Sequence, residues 1–311
     1  MTDDILVTGG SGFLGSHLCE KLLRLNFNVT CLDNLFTGNI KNISHLLNSS
    51  KFKFLEHDVT EFKNIECKHI FHLACPASPS HYQKDPVKTI STNVVGTLNM
   101  LKLAKANNAS ILFTSTSEVY GDPEISPQKE DYWGRVNPIG IRSCYDEGKR
   151  CAETLCFDFY RQYNLPIKVV RIFNTYGPNM SINDGRVVSN FIVQALNNSP
   201  ITIYGKGDHT RSLCYVSDLI NGLISISKLN KDFTGPINLG RDQEIKVLEL
   251  AKKIINLTKS KSKLEFHKLP ENDPHQRNPN LELAKKAINW KPEIDLDLGL
   301  NKTIKYFENL L

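Results

Sequence analysis

No run of apolar residues in the chain approaches the ~18 that a membrane-spanning helix needs, and no signal-peptide pattern stands ahead of Ile5-Leu6-Val7, where strand-forming sequence begins. The expectation is a cytoplasmic protein with no membrane partner. Charge of one sign is also scarce: 38 Lys and Arg against 33 Asp and Glu leave a net +5 over 311 residues. That balance is too mild for a nucleic-acid surface but suits a small anionic substrate. The densest basic stretch, Lys252, Lys253, Lys259, Lys261 and Lys263, reads as the solvated side of a late helix and the loop after it. Paired cysteines are missing too. The eight, at 19, 31, 67, 75, 144, 151, 156 and 214, include no C-x-x-C and fall in stretches that read as helix or strand interiors. This spacing argues against a zinc site or a disulfide framework and predicts reduced, buried thiols with no metal. Internal repeats and low-complexity tracts are absent.

What is present is alternation. Ile5-Leu6-Val7 and the segments 28–32, 52–55, 69–73, 110–114 and 167–171 are short and apolar enough for strands. Between them, Ser16 to Leu25, Pro86 to Asn107 and Tyr145 to Tyr163 carry helical periodicity. Strands alternating with helices predict an α/β fold, a Rossmann-type doubly wound parallel sheet. From about residue 175, loops such as Tyr176-Gly177-Pro178 and Tyr204-Gly205-Lys206-Gly207 separate shorter elements. The expected division is a Rossmann domain at 1–174 and a smaller C-terminal α/β substrate-binding domain at 175–311. Residues 236–240 form a strand that either returns to the first domain or stays with the second.

The segment Thr8-Gly9-Gly10-Ser11-Gly12-Phe13-Leu14-Gly15 follows the first strand and opens the first helix. Gly9, Gly12 and Gly15 allow a tight turn and close approach of backbone to a pyrophosphate, on which the helix N–H groups are directed. Asp33 ends the second strand, where a carboxylate binds a ribose 2′-hydroxyl and repels a 2′-phosphate, favouring NAD over NADP. Asn34 follows it. Asp58 and Val59 are either an adenine contact or a strand-end turn. Phe13, Leu14 and Leu73 complete the expected cofactor-binding set, with Tyr145 and Lys149.

Tyr145 and Lys149 stand one helical turn apart, on one face. A nearby ammonium is expected to lower the phenol's pKa and make Tyr145 a general base. Upstream, Thr114-Ser115-Thr116-Ser117-Glu118 supplies hydroxyls at a strand end, and Thr116 is the choice for holding the reacting oxygen.

These motifs, together with Ala74-Cys75-Pro76-Ala77-Ser78-Pro79, Cys144 to Arg150, Arg171 to Pro178, Asp184 to Phe191 and Thr210-Arg211-Ser212, span almost the whole chain in order. The chain resembles the extended short-chain dehydrogenases/reductases, and within them the UDP-glucuronate decarboxylases. Their dehydratase relatives carry Asp-Glu after the Thr, with the Asp as general acid; Ser117 stands there in this sequence and cannot serve as that acid. The resemblance implies oxidation of UDP-glucuronate at C4 by NAD, loss of CO₂ from the β-keto acid, and return of the hydride to give UDP-xylose. It implies catalytic roles for Tyr145, Lys149, Thr116, Glu118 and Arg277, with Glu118 orienting sugar or water and Arg277 near the sugar carboxylate. It assigns UDP recognition to Asn174, Arg186, Arg211 and Tyr215, the arginines being otherwise surface ion pairs. Two departures stand out: Ser91 replaces a usual Lys, a contact either lost or supplied by Lys88, and Asn278 and Asn280 replace flanking charges beside Arg277. The helices from Pro86 and from Tyr145 match those forming a four-helix homodimer interface in the family, unless their apolar positions face only the sheet. A 4-epimerase, or a decarboxylase releasing the keto sugar, is the nearest rival; a non-catalytic dinucleotide sensor fits poorly, since the Tyr/Lys pair is intact.

Overall fold

Strand sequences that are apolar at every position need cover on both faces, and a parallel sheet flanked by helices provides it. The computed structural model, which describes residues 4–268 and 276–311, is built around such a sheet. In chain order its strands are β1 (Asp4–Thr8), β2 (Asn28–Asp33), β3 (Phe52–Glu56), β4 (His69–His72), β5 (Ser110–Thr116), β6 (Ile167–Ile172) and, as the seventh, β11 (Ile237–Leu239). Their spatial order is β3-β2-β1-β4-β5-β6-β11, with every pair parallel. Side chains alternate between faces with period two. Ile5, Val7, Phe71, Leu112 and Val170 share one core, whereas Leu6, Ile70, Ile111, Phe113 and Val169 belong to another.

The first core is covered by α1 (Phe13–Arg24) and α7 (Val216–Ser227), which pack on one another. The second is covered by α4 (Thr97–Asn107) and α5 (Ser143–Tyr163), through Met100, Leu101, Leu103, Ala104, Ala152 and Cys156. The helical stretch expected from Pro86 to Asn107 is three pieces: α3 (Pro86–Ser91), a π-helical turn at Thr92–Gly96, and α4. Asp85 caps α3 by accepting from the Lys88 N–H at 2.9 Å, and Pro86 occupies the first turn where no N–H is needed. Asn108, Asn164 and Asn289 end their helices at φ near +50° (51°, 52° and 49°), the left-handed exit Asn tolerates.

Beyond β6 the elements shorten, as expected. The strands β7 (Thr175–Tyr176) and β10 (Cys214–Tyr215) pair in parallel, β8 (Ile201–Tyr204) pairs in parallel with β13 (Leu264–His267), and β9 (Thr210–Ser212) pairs antiparallel with β12 (Glu244–Lys246). The remaining helices are α2 (Pro79–Tyr82), α6 (Val187–Leu196), α8 (Val247–Thr258), α9 (Glu282–Ile288) and α10 (Leu296–Glu308). Lys252, Lys259, Lys261 and Lys263 are exposed around the end of α8, as a solvated face requires. Of the two alternatives for residues 236–240, pairing with β6 in the main sheet is the one realised. The thiols depart from expectation in part: all eight cysteines are free and five are buried, but Cys151 is exposed and Cys75 and Cys144 are half-buried.

Two polar seams fix the long connection between β5 and α5. On one, Arg171 donates bidentately to Glu153 at 3.0 and 2.8 Å and to the Tyr120 hydroxyl at 3.0 Å, which donates in turn to Asn238 of β11. On the other, Gln128 N–H donates to the Asn278 carbonyl and Asn280 N–H to the Gln128 carbonyl, both at 2.8 Å. That second seam carries residues 276–280 to the end of β5. Among the described residues no helix is long and apolar enough to cross a membrane.

Candidate active site

The chain leaves β1 toward β2 on one side, and β4 lies on the other. This reversal opens a crevice at the carboxyl ends of the strands. A cleft of about 1020 Å³ occupies it. Helix α1 begins at Phe13, three residues before the periodicity suggested, because Gly12 itself is its N-cap. No side chain caps that end, so its first N–H groups are left for a ligand. The glycines are sterically required. Gly9 has φ +70°, and a Cβ on it would lie 2.9 Å from the Ala74 backbone; one on Gly15 would lie 2.1 Å from the Gly9 carbonyl. Asp33 is buried at the end of β2, where it accepts from the Ser11 N–H at 3.0 Å and the Leu35 N–H at 2.9 Å. A glycine cradle, an uncapped helix start and a buried carboxylate fit a dinucleotide.

Gly9, Gly12, Phe13, Leu14, Gly15, Asp33, Asn34, Val59 and Leu73 all line the cleft. Asp58 is not among the lining residues. Its carboxylate accepts from Lys88 at 2.5 Å and from Asn34 at 2.8 Å, so the strand-end alternative is what its side chain makes. Burial opposes its charge, but the hydrogen bonds from Lys88, Thr60 and Asn34 hold the carboxyl well below its ordinary value. Lys88 lines the cleft while holding Asp58; Ser91 does not line it.

Tyr145 and Lys149 emerge from the first two turns of α5 into the same cleft, beside Thr116. Lys149 donates to the Thr114 carbonyl at 2.9 Å, and its Nζ lies 6.0 Å from the Tyr145 ring centre. The expected lowering of the phenol is not what this arrangement produces. Burial, reinforced by Cys75, pushes Tyr145 up, and the hydrogen bond with Thr116 works the other way. Burial likewise lowers Lys149. The reason is distance and desolvation: Lys149 spends a hydrogen bond on backbone, and a buried phenolate is unfavourable.

Glu118 lies two residues past the end of β5 in a single turn of 3₁₀ helix, Ser117–Tyr120, capped by the Thr116 hydroxyl. Arg277 donates to it bidentately, Nε to Oε1 and Nη2 to Oε2, both at 3.1 Å, and Arg142 donates to Oε2 at 2.5 Å. Burial disfavours the carboxylate, yet Arg277 and Arg142 outweigh it and bring Glu118 down to about 2. Arg277 is only 2% exposed and gives a further bond to the Gly121 carbonyl at 2.6 Å. Its fork is therefore matched to Glu118. Residues 273–275 of its motif lie outside the described residues.

Asn174, Arg186 and Arg211 line the cleft. Arg186 is forked onto Asp184 at 2.5 and 2.7 Å, and Arg211 donates to the Thr210 carbonyl at 2.9 Å. Tyr215 is a correction. It does not line the cleft; the register of β10 on β7 turns it into the core, edge-on to Tyr176 at 5.6 Å and close against Gly299 of α10. Among the lining residues that went unforeseen, two stand against the reacting groups. Tyr82 stacks on Tyr145 at 5.0 Å with rings 5° from parallel, and Arg142 completes the clamp on Glu118. Arg142 precedes Tyr145 by three residues at a helix start, which was the available signal; nothing local marks Tyr82.

The profile of the NAD dependent epimerase/dehydratase family matches residues 5–240. The chain belongs to this family. Within it, the chain is 51% identical over 307 residues to UDP-glucuronic acid decarboxylase 1 of Danio rerio, covering 99% of this chain and 73% of that one. It is 53% identical over 297 residues to UDP-glucuronic acid decarboxylase 6 of Arabidopsis thaliana, covering 95% and 86%. The family's fold is likewise matched by UDP-glucuronic acid 4-epimerase from Bacillus cereus, solved with UDP-glucuronic acid and NAD, at a TM-score of 0.89 and 26% identity over 99% and 100% of the two chains.

Proposed function

We propose that this chain decarboxylates UDP-glucuronate to UDP-xylose, using NAD that is regenerated in each turnover. The observation that carries the reading is Tyr145, Lys149 and Thr116 meeting a glycine cradle in one cleft, beside a Glu118 that two arginines keep ionised. Relatives at 51% and 53% identity named UDP-glucuronic acid decarboxylase supply the substrate. Gly9, Gly12 and Gly15 would hold the pyrophosphate and Asp33 the ribose. Bound NAD⁺ supplies a reversible acceptor for the C4 hydride. Without a cofactor the buried phenolate is unfavourable; the positive charge that NAD⁺ would bring beside Lys149 would favour it, and Tyr145 in that form would take the C4 hydroxyl proton while Thr116 hydrogen-bonds the same oxygen. The 4-ketone is β to the C5 carboxylate, so the C5–COO⁻ bond breaks with its electron pair passing toward O4. Tyr145 and Thr116 hold that oxyanion. One proton from the surroundings is then added at C5. Tyr145 would return its proton to O4 as C4 is reduced again, that reduction being what the bound cofactor would supply.

Ser117 leaves the strand end without the acid that elimination would need, and Glu118, fixed as a carboxylate, is a poor proton donor. Asn174, Arg186 and Arg211 would contact the UDP, with Arg186 shared between diphosphate and Asp184. Residues 1–174 with the return strand would act as the NAD-binding domain and 175–311 as the sugar-binding one. Exposed Val87, Ile90 and Val95 along one side of α3 and the π turn support a homodimer through these helices. The B. cereus structure supports a second reading, epimerisation at C4 of the same substrate. Incubation with UDP-glucuronate, with products identified by NMR and CO₂ trapped, tests both. UDP-xylose with stoichiometric CO₂ is expected; UDP-galacturonate without CO₂ would overturn the decarboxylase in favour of the epimerase.

A further inference from the structure

Tyr82 closes α2, lines the cleft, and is only 1% exposed. Its ring lies flat on that of Tyr145, with centres 5.0 Å apart and planes 5° from parallel. Parallel rings at this spacing form an offset stack, the arrangement their quadrupoles favour. The Tyr82 hydroxyl, in contrast, is buried with no hydrogen-bond partner among the described residues. What the site uses of Tyr82 is therefore the ring.

The backbone that carries this ring is pinned from several directions. The Tyr82 N–H donates to the Ser78 carbonyl at 2.9 Å. Its carbonyl accepts from the Thr89 hydroxyl at 3.2 Å and from the Cys144 thiol at 3.6 Å. Cys144 precedes Tyr145 in α5, so the stacked residues are joined through the backbone as well as through their faces. Ser80, in the same short helix, donates to the Asp184 carbonyl at 2.9 Å. Gly185, at φ +84°, lets the chain pass there, since a Cβ on it would lie 2.8 Å from the Ser80 hydroxyl oxygen. A four-residue helix has little stability of its own. These contacts, rather than helix propensity, hold Tyr82 in place.

Tyr145 lacks comparable support from the groups at its oxygen. Its hydroxyl shares a hydrogen bond with Thr116, while Lys149 is bonded to the Thr114 carbonyl, with Nζ 6.0 Å from the ring centre. A bond at the oxygen leaves open the plane in which the phenol's in-plane lone pair lies, and that plane turns with the ring. We propose that Tyr82 is a positioning residue for the oxidation at C4: its ring sets the plane of the Tyr145 ring, and with it the direction from which Tyr145 accepts the proton. The inference rests on the reading of Tyr145 as the base and adds to it the group that aims that base.

The test compares two variants as NAD-loaded protein. Tyr82→Phe keeps the ring and drops only the unpartnered hydroxyl, so it should turn over UDP-glucuronate at the native rate. Tyr82→Leu drops the ring and should lose about 10–10²-fold in kcat, as for a misaligned reacting group, with KM unchanged. The isotope effect on kcat with UDP-glucuronate deuterated at C4 should rise in Tyr82→Leu, because oxidation is the step that slows. Loss of folded protein alone would lower kcat and leave that isotope effect as it is. In a Tyr145→Phe background, Tyr82→Leu should cost nothing further, as expected of a residue acting through Tyr145. Crystals of Tyr82→Leu should show the Tyr145 ring turned from its native plane. Tyr82→Met, which fills more of the space, gives the same readings should the leucine variant fail to fold. Native kcat in the variants lacking the ring, a lowered kcat with an unchanged isotope effect, or an equal loss in Tyr82→Phe would overturn the proposal. If the native chain forms UDP-galacturonate without CO₂, the decarboxylase reading fails and the role of Tyr82 is still decided by these measurements. If it forms UDP-xylose and Tyr82→Leu does so equally fast, the role of Tyr82 fails and the reading stands.

Discussion

At the glycine-loop end of the cleft the polar partners are backbone N–H groups at an uncapped helix start and one carboxylate, Asp33, all within residues 9–33. At the other end, Glu118, Arg142, Asp146 and Arg277 crowd together, and the two members of the closest fork are 159 residues apart. The first arrangement uses fixed dipoles that need no compensating charge and arise from one strand-turn-helix unit. The second uses formal charges in a poorly solvated place, where each group is tolerable only because of the others. Damage to the first end should therefore stay local and weaken binding, whereas damage to the second should also unfold the protein.

The largest effect should fall between the two ends. Tyr145→Phe removes the proton acceptor that both serve, and turnover of UDP-glucuronate should drop by about 10²–10⁴ while NAD binding, followed by fluorescence, is retained. At the charged end, Glu118→Gln leaves two guanidiniums against an amide and should cost about 3–5 kcal/mol in urea unfolding. Combining it with Arg277→Met should cost less than the sum of the single changes, and additive losses would break the contrast drawn here. At the loop end, Gly15→Ala forces a Cβ onto the Gly9 carbonyl. Overpacking of this kind costs about 1–3 kcal/mol, and NAD titrations should show a larger proportional loss than thermal unfolding does.

The smallest effect separates the two carboxyl groups by pH. Glu118, brought down to about 2, contributes stability that is present above its unfolded value near 4.3 and lost as pH falls through 2. Asp146 has the opposite sign. With its carboxyl raised to about 8 by burial and then Glu118, its contribution is complete below its unfolded value near 3.9 and is lost as pH rises through 8. Asp146→Asn should then gain stability over the native chain as pH rises from 5 to 8, by on the order of 1 kcal/mol for each pH unit. Urea titrations at each pH would show a constant difference if folding does not raise this carboxyl, and a shrinking one if the sign is wrong.

Much of the fold was readable because apolar strands and glycine turns act over short distances. Ile5-Leu6-Val7 and the spacing of Gly9, Gly12 and Gly15 already imply strand, turn and helix start, and Tyr145 and Lys149 share a helix face through periodicity alone. Asp58 and Tyr215 show the limit. Whether Asp58 meets a ligand depends on Lys88 and Asn34, and whether Tyr215 meets one depends on the register of β10 against β7 and the seat offered by Gly299.

What the sequence determined by itself was the parallel sheet, the glycine turn ahead of α1 and the Tyr/Lys pair, since each follows from steric and periodic rules acting within about thirty residues. The tertiary structure alone decided which charges face one another: that Arg277 reaches Glu118, that Arg142 joins them, that Tyr82 stacks on Tyr145, and that Asp146 is left without a partner on Oδ1 among the described residues. Coulomb and desolvation energies depend on distance and surroundings in space, and those are set only when the segment at 276–280 is sewn to Gln128.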